Sequence, residues 1–260
     1  MSVVTVGDNC IDNYSNLQKS YPTGNAVNVA IHLKRLGVET SVVSLTGNDQ
    51  NGHEMIRLLQ GQAIDLTYFH QGEGKTAVTE MNLVNKDRVH VRYEEGVLKN
   101  FRLREDEVNF INGHQIVHTS IWGKVNQHLP QFRSAGTTVV YDFSVQLDYE
   151  GLDELLPHID YAFFSYDQVD HFVKEFMKEK KNLGPKVIIV TLGENGSIAY
   201  DGNKFYKVDS LPVQVVNTVG AGDSFIAGYI YGLLHEESVM ECLYRGSALA
   251  SKVVCRFEPY

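Results

Sequence analysis

Short apolar runs alternate with helix-type patterns along most of this 260-residue chain, and this alternation restricts its fold more than any other feature. Residues 3–6 and 40–45 are strand-like, and residues 26–36 between them carry apolar side chains at helical spacing. A strand, a helix and a second strand in this order form the basic unit of a parallel sheet. The same order resumes after residue 105, so we expect a mainly parallel sheet with helices on its faces.

The alternation stops between residues 64 and 97. Residues 67–70, 77–85 and 88–93 are strand-like and are joined by turns without a helix, which is typical of antiparallel strands. We expect a small antiparallel β lid on the parallel sheet. We also expect one domain over residues 1–260, with lid insertions near residues 12–23 and 64–97.

Charge and cysteine content exclude several classes of protein. The net charge of −9 argues against a nucleic-acid partner, which normally meets a basic surface. The three cysteines, Cys10, Cys242 and Cys255, lack metal-ligand spacing and indicate reduced thiols in the cytoplasm. The longest apolar stretch, residues 225–234, is short for a bilayer, and residues 1–7 do not resemble a signal peptide. We therefore expect a cytoplasmic protein with no membrane partner.

Residues 217–228 carry the clearest chemical signal: Asn-Thr-Val-Gly-Ala-Gly-Asp-Ser-Phe-Ile-Ala-Gly. Gly220, Ala221 and Gly222 leave backbone N–H groups unobstructed where a helix is predicted to begin, and such groups attract anions. Asp223 beside an anion site makes sense if it accepts a proton from a hydroxyl while the N–H groups hold a phosphate. The alternative is a glycine-rich helix start in which Asp223 is only a first-turn charge.

This stretch resembles the C-terminal signature of the ribokinase-like, or PfkB, family of sugar kinases. The resemblance implies an α/β fold, namely a three-layer sandwich with a mainly parallel sheet and a small antiparallel β lid. It also implies ATP and Mg²⁺ as cofactors. Asp223 would be the catalytic base, and the backbone of Gly220, Ala221 and Gly222 would form the anion hole.

A second stretch, residues 23–30, resembles the sugar-binding motif of the same family, although Thr23 stands where the family has Gly or Ala. Gly24 would let a ligand approach the backbone, and the amides of Asn25 and Asn28 could bond sugar hydroxyls. Asp8 and Asp12 follow the first strand, where the family holds sugar hydroxyls. Their alternative role is that of turn residues.

The nucleotide site is predicted from residues 186–197, where a buried strand enters a glycine turn. By resemblance, Thr191, Gly193 and Gly196 would lie near ATP, together with Ser165. The family's Asn-x-x-Glu motif is replaced here by residues 165–168, Ser-Tyr-Asp-Gln. The metal-binding residues therefore stay unassigned, and Asp167 or, alternatively, phosphate oxygens and water would hold Mg²⁺.

Within the family, residues 7–10, 142–144 and 191–199 resemble kinases that phosphorylate fructoselysine. This implies ATP-dependent phosphorylation of the 6-hydroxyl of fructoselysine or of a related sugar–amine conjugate. Arg88 or Arg92 on the lid would meet the substrate carboxylate, unless both belong to a solvated charged face. The open alternatives are a kinase for a simple ketose, a ketodeoxy sugar acid or a nucleoside, and a non-catalytic nucleotide or sugar sensor. The open lid face also suggests a homodimer.

Overall fold

The computed structural model describes residues 1–84 and 87–260 and leaves the side chains of residues 83–90 undescribed. Its α-helices alternate with strands, as the sequence pattern predicts. They are α1 (Asn25–Arg35), α2 (Gln50–Gly61), α3 (Glu105–Asn112), α4 (Leu129–Ser134), α5 (Leu152–Leu155), α6 (His171–Lys181), α7 (Ala221–Leu234) and α8 (Val239–Val253).

The strands of the described residues belong to a large sheet and a small one. They are β1 (Ser2–Val6), β2 (Cys10–Tyr14), β3 (Lys19–Thr23), β4 (Glu39–Gly47), β5 (Phe69–Gly72), β6 (Val78–Val84), β7 (Asp87–Glu94), β8 (Ile116–Ser120), β9 (Thr138–Asp142), β10 (Tyr161–Ser165), β11 (Val187–Thr191), β12 (Ser197–Tyr200) and β13 (Phe205–Val208).

The large sheet has nine strands in the order β13-β12-β11-β10-β9-β8-β1-β4-β5. The seven strands from β11 to β5 run parallel, whereas β12 and β13 add an antiparallel edge. Parallel strands place their carboxyl ends at one edge of the sheet, where α/β proteins bind ligands. That edge therefore brings together residues that are far apart in the sequence.

Helices cover both faces of this sheet, which gives three layers. Neighbouring residues of a strand point to opposite faces: Val190 of β11 packs in one core with α3, α4 and α6, and Ile189 packs in the other with α1, α7 and α8. Strands buried on both faces are continuously apolar, as β11 is. The helices α7 and α8 cross closely, because Gly228 of α7 lies against the backbone of Arg245 and Gly246.

The small sheet has the order β3-β2-β6-β7 and corresponds to the predicted lid. Its two outer pairs are antiparallel, and β2 and β6 pair parallel between them. One assignment from the sequence is wrong: the first predicted lid strand, residues 67–70, is instead β5, which pairs parallel with β4 in the large sheet. The lid strands β2 and β3 were not predicted as strands.

The C-terminal segment packs between the small sheet and the loop before α7. The Phe257 ring lies 5.5 Å from the Tyr14 ring and 6.0 Å from the Tyr21 ring, centre to centre. The Tyr260 hydroxyl donates to the carbonyl of Pro22 at 2.9 Å, and the ring of His32 hydrogen-bonds the carbonyl of Pro259 at 2.8 Å. Among the helices of residues 1–84 and 87–260, none is both long and apolar enough to cross a membrane.

Candidate active site

A cleft of about 700 Å³ lies at the carboxyl ends of the parallel strands, between the large sheet, the small sheet and the start of α7. It brings together most of the predicted site residues. Its lining comprises Asp8, Cys10, Asp12, Thr23, Gly24, Asn25, Asn28, Thr79, Tyr93, Trp122, Asp142, Ser144, Val145, Phe163, Phe164, Ser165, Thr191, Thr218, Val219, Gly220, Gly222, Asp223 and Ile226.

The start of α7 presents free backbone donors to this cleft. Gly220 precedes the helix with φ of 73°, a left-handed conformation that favours glycine, and a Cβ there would lie 2.6 Å from Pro259. The Ala221 N–H donates to the carbonyl of Thr218 at 3.2 Å. Within the described part of the chain, no acceptor takes the N–H groups of Gly220, Gly222 or Asp223. A Cβ at Gly222 would meet no atom within 4 Å, and free N–H groups at a helix start generally favour an anion.

Asp223 lies in the first turn of α7 and is held by two amides. The Asn25 Nδ2 donates to Asp223 Oδ1 at 2.8 Å, and the Asn28 Nδ2 donates to Asp223 Oδ2 at 2.7 Å. Burial raises the pKa of Asp223 to about 7, against the Asn28 hydrogen bond, and the charges of Asp142 and Asp8 raise it further. A carboxyl with a pKa near neutrality is suited to accept a proton from a hydroxyl.

Asn25, the first residue of α1, links Asp8, Asp142 and His118 to Asp223. Its backbone N–H donates to Asp8 Oδ2 at 2.9 Å, and its Nδ2 also donates to Asp142 Oδ2 at 3.0 Å. Its Oδ1 lies 2.8 Å from Nε2 of His118. Gly24 permits this approach, because its φ is 128° and a Cβ there would lie 2.6 Å from the Asp8 carbonyl oxygen.

The cleft is strongly acidic. Asp8, Asp12, Asp142 and Asp223 line it, and no Lys, Arg or His is among the described side chains that do so. Burial raises the pKa of Asp142 to about 6, although the Ser144 N–H lowers it. Burial also raises the pKa of Asp8. A ligand that brought a positive charge would therefore relieve repulsion among these carboxylates.

Two of the predicted nucleotide residues meet at neighbouring strand ends. Ser165 and Thr191 are paired across β10 and β11, and their hydroxyl oxygens are 2.9 Å apart on the cleft wall. Gly193 and Gly196 form the turn between β11 and β12 and are not among the lining residues. Gly196 has φ of 86°, and a Cβ there would collide with the backbone of β13. It therefore shapes the turn.

The lid arginines are not part of the described cleft lining. Arg92 is 69% exposed in its side chain and pairs with Glu94 at 3.0 Å. The side chain of Arg88 lies outside the described residues. Nothing in this arrangement tests the predicted contact with a substrate carboxylate, which stays a prediction.

A protein-built metal site is absent from the described part of the chain: no three or more His, Cys, Asp or Glu side chains are arranged to hold a metal ion. Asp167, in the segment that replaces Asn-x-x-Glu, lines a second, neighbouring cleft that shares Val145 and Ser165 with the first. The described residues thus do not form a complete set of ligands for Mg²⁺. They are compatible with a metal that is held mainly by phosphate oxygens and water.

Sequence reasoning missed Asp142 and His118 as site residues. Asp142 ends β9, so the rule that ligands bind at the carboxyl ends of parallel strands could have found it. His118 lies within β8 and is fully buried. Its contact with Asn25 joins residues that are 93 positions apart, and no local pattern signals such a contact.

Comparison with known proteins places this chain in a family. The model described as "pfkB family carbohydrate kinase" matches residues 8–260. The fructoselysine 6-kinase of Escherichia coli K12 is 38% identical over 253 residues, covering 97% of each chain. A fructosamine kinase of Bacillus subtilis strain 168 is 33% identical, covering 97% of this chain and 90% of the relative.

Solved structures agree on the fold. The ribokinase of Arabidopsis thaliana, determined with ribose and ATP, superposes with a TM-score of 0.83 at 21% identity, covering 98% of this chain and 92% of the other. A ribokinase of Escherichia coli described as putative, determined with ATP and Mg²⁺, gives a TM-score of 0.85 at 19% identity, covering 99% and 94%.

The chain therefore belongs to the pfkB family of carbohydrate kinases. The predicted ribokinase-like α/β fold, with a mainly parallel sheet and a smaller lid sheet, is confirmed. The protein is a phosphotransferase that acts on a sugar hydroxyl.

Proposed function

We propose that this kinase transfers the γ-phosphoryl group of ATP to the 6-hydroxyl of fructoselysine or a closely related sugar–amine conjugate. Asp223 takes the proton from the 6-hydroxyl, the hydroxyl oxygen attacks the γ-phosphorus, and ADP leaves. The backbone N–H groups of Gly220, Ala221 and Gly222 form the anion hole that stabilises charge on the moving phosphoryl group. In the described arrangement, the Ala221 N–H would first have to leave Thr218.

One observation carries the proposal: Asp223 lies in the same turn as the free donors at the start of α7. Proton acceptance and phosphate binding are thereby provided within a single turn. The amides of Asn25 and Asn28 hold both carboxylate oxygens of Asp223. General-base catalysis requires such a positioned carboxylate beside the attacking hydroxyl.

The acidic cleft supports an amine-bearing acceptor. Fructoselysine carries ammonium groups, and Asp8 and Asp142 offer carboxylates with no cation among the described lining residues. Two relatives are named for fructoselysine and fructosamine phosphorylation, at 38% and 33% identity. Asp12, Gly24, Asn25 and Asn28 would hold the sugar. Arg88 or Arg92 would hold the substrate carboxylate.

ATP would lie between the α7 start and the ends of β10 and β11. Thr191 and Ser165 face this space, and Gly193 and Gly196 shape the adjoining turn. Mg²⁺ would be held mainly by phosphate oxygens and water, where it would neutralise phosphate charge.

An ADP-release assay with Mg-ATP tests the substrate. We expect turnover to favour fructoselysine over glucoselysine, fructose, ribose, ketodeoxygluconate and a nucleoside. Preference for a simple ketose, a sugar acid or a nucleoside would contradict fructoselysine as the substrate but would leave the kinase activity in place. Nucleotide binding without turnover on any acceptor would favour a sensor, a role suggested by the replacement of Asn-x-x-Glu.

The role of Asp223 is tested by Asp223→Asn. We expect kcat to fall by roughly 10²–10⁴-fold, the usual size of general-base catalysis, while ATP and sugar still bind. Isothermal titration with each ligand is the control for binding. A variant with near-native kcat would remove Asp223 from the mechanism.

We further propose that residues 1–260 form one domain with lid insertions near residues 12–23 and 64–97, of which β5 pairs within the large sheet, and that the lid supports a homodimer. Val91 on β7, the edge strand of the small sheet, is 60% exposed, which favours a partner there. Sedimentation of the wild type and of Val91→Lys tests this idea. An equal mass for both, at that of the monomer, would refute the dimer.

A further inference from the structure

His118 is a buried polar side chain in the middle of the large sheet. It is 0% exposed, and its strand β8 is paired with β1 at Thr5 and with β9 at Val140. Burying an imidazole among strands costs free energy unless a hydrogen bond compensates for it. Its Nε2 meets Asn25 Oδ1 at 2.8 Å, whereas its Nδ1 has no hydrogen-bond partner within the described residues.

The carboxylates around Asn25 fix the direction of this hydrogen bond. Ionised carboxylates only accept, so the Asn25 amide must direct its nitrogen at Asp142 and Asp223, which lie at 3.0 and 2.8 Å. Asn25 Oδ1 then faces His118 and needs a donor. Burial lowers the pKa of His118 to about 3, offset in part by the backbone of Val140, so the ring is neutral. We assign its single proton to Nε2, the ring nitrogen that lies 2.8 Å from Asn25 Oδ1.

We propose that His118 is a positioning residue for phosphoryl transfer: its Nε2–H group fixes the Asn25 amide so that both amide N–H donors point at Asp142 and Asp223. The inference rests on the proposed role of Asp223 as base. His118 does not touch substrate or phosphate, and it acts through Asn25.

Loss of the His118 donor has a defined consequence for the base. Asn25 Oδ1 is then buried without a donor, so the orientation in which both amide N–H groups meet the carboxylates is less strongly favoured. The charged groups that face Asp223 are Asp142 of β9 and Asp8 after β1, and both are acidic. With a weaker Asn25 donor, the carboxylate form of Asp223 is less favoured, and the acidic limb of kcat moves to higher pH.

The test compares His118→Leu with His118→Gln, which keeps an N–H donor. On the acceptor that the wild type turns over fastest, we expect His118→Leu to lower kcat by roughly tenfold or more and to move the acidic limb upward. The KM for ATP should stay within about twofold. His118→Gln should restore most of both kcat and the pH profile.

His114→Leu is the matched control. His114 precedes β8 and bonds Ser41 at 3.1 Å and the Phe110 carbonyl at 2.9 Å, away from the cleft lining. It should leave kcat and its pH profile unchanged. If His118→Leu lowers only the melting temperature, or if Gln and Leu give equal losses of kcat, the positioning role is refuted.

A measurement on the wild type does not depend on the folding of a variant or on activity. In ¹⁵N-labelled protein, the His118 ring should show a protonated Nε2 and an unprotonated Nδ1 at pH 8–9, where Asp142 and Asp223 are ionised. Protonation on Nδ1 would leave Asn25 Oδ1 without a donor and would overturn the inference. Failure of the kinase assay would instead count against the proposed function.

Discussion

Replacing the proposed base, Asp223→Asn, should stabilise the folded protein while it removes activity. Burial raises the pKa of Asp223 from an ordinary 3.8 to about 7, and neighbouring Asp142 and Asp8 add to this. In the unfolded chain the same carboxyl is in water and ionises near its ordinary pKa. Between these two pH values the folded protein holds a proton that the unfolded chain has released. The free energy of unfolding therefore falls as the pH rises through this window.

The magnitude follows from the two pKa values. At about 1.36 kcal/mol per pKa unit, a rise from 3.8 to about 7 costs about 4 kcal/mol of stability above pH 7. In the variant, the NH₂ group of the new asparagine faces the NH₂ group of either Asn25 or Asn28, so one hydrogen bond worth about 1 kcal/mol is lost. The variant should therefore gain at most about 3 kcal/mol at pH 8.

The pH dependence of this gain is the sharper quantity. At pH 5 the folded wild type is already protonated at Asp223, so most of its penalty is absent. The lost hydrogen bond weakens the variant at both pH values and cancels from the comparison. The gain from Asp223→Asn should thus be about 3 kcal/mol larger at pH 8 than at pH 5.

Urea unfolding of the wild type and of Asp223→Asn at pH 5 and pH 8 measures this difference, with Trp122 fluorescence as the signal. Asp209→Asn is the control, because the Asp209 side chain is 82% exposed and water solvates its charge in both states. A gain from Asp223→Asn that is equal at the two pH values would refute the reasoning.

Gly228→Ala should lower the free energy of unfolding by roughly 1–3 kcal/mol, because the new methyl group would lie 2.6 Å from the Arg245 carbonyl oxygen between α7 and α8. At Gly61 a new methyl group would meet no atom within 4 Å, so Gly61→Ala should instead stabilise α2 by up to about 1 kcal/mol. Urea unfolding measures both variants, and equal effects would contradict the close crossing of α7 and α8. Arg92→Ala should raise the KM for fructoselysine far more than the KM for fructose. Arg92 pairs with Glu94 in the free protein, and the carboxylate of fructoselysine would take the place of Glu94, whereas fructose has no carboxylate. Equal increases in steady-state assays would exclude Arg92 from specificity.

The sequence was most informative about fold where its patterns are regular. The buried strand β11 is apolar up to its last residue, β1 and β4 each contain a short apolar run, and the helix patterns between strands lead directly to a parallel sheet. The lid strand β3 is short, polar and exposed at its start, so it carries no alternation to detect. The segment containing β5 was assigned to the wrong sheet, because its partner depends on tertiary packing.

The candidate site was predictable where a short motif holds all the chemistry. Gly220, Gly222 and Asp223 are neighbours in sequence and stay neighbours at the start of α7. The orientation of Asp223 was not predictable, because Asn25 reaches it across 198 positions. Asp142 joins the same network from yet another strand, and only the folded sheet brings these residues together.

The C-terminal segment gives the two halves of the cleft a common support. Phe257 packs on Tyr14 and Tyr21 of the lid, and Pro259 fills the space beside Gly220, at the start of α7 where phosphate is proposed to bind. If a bound sugar moves the lid, this segment transmits the movement to the loop that would receive ATP. We expect the two ligands to be thermodynamically linked: sugar should change the affinity for nucleotide, and nucleotide should change the affinity for sugar by the same factor.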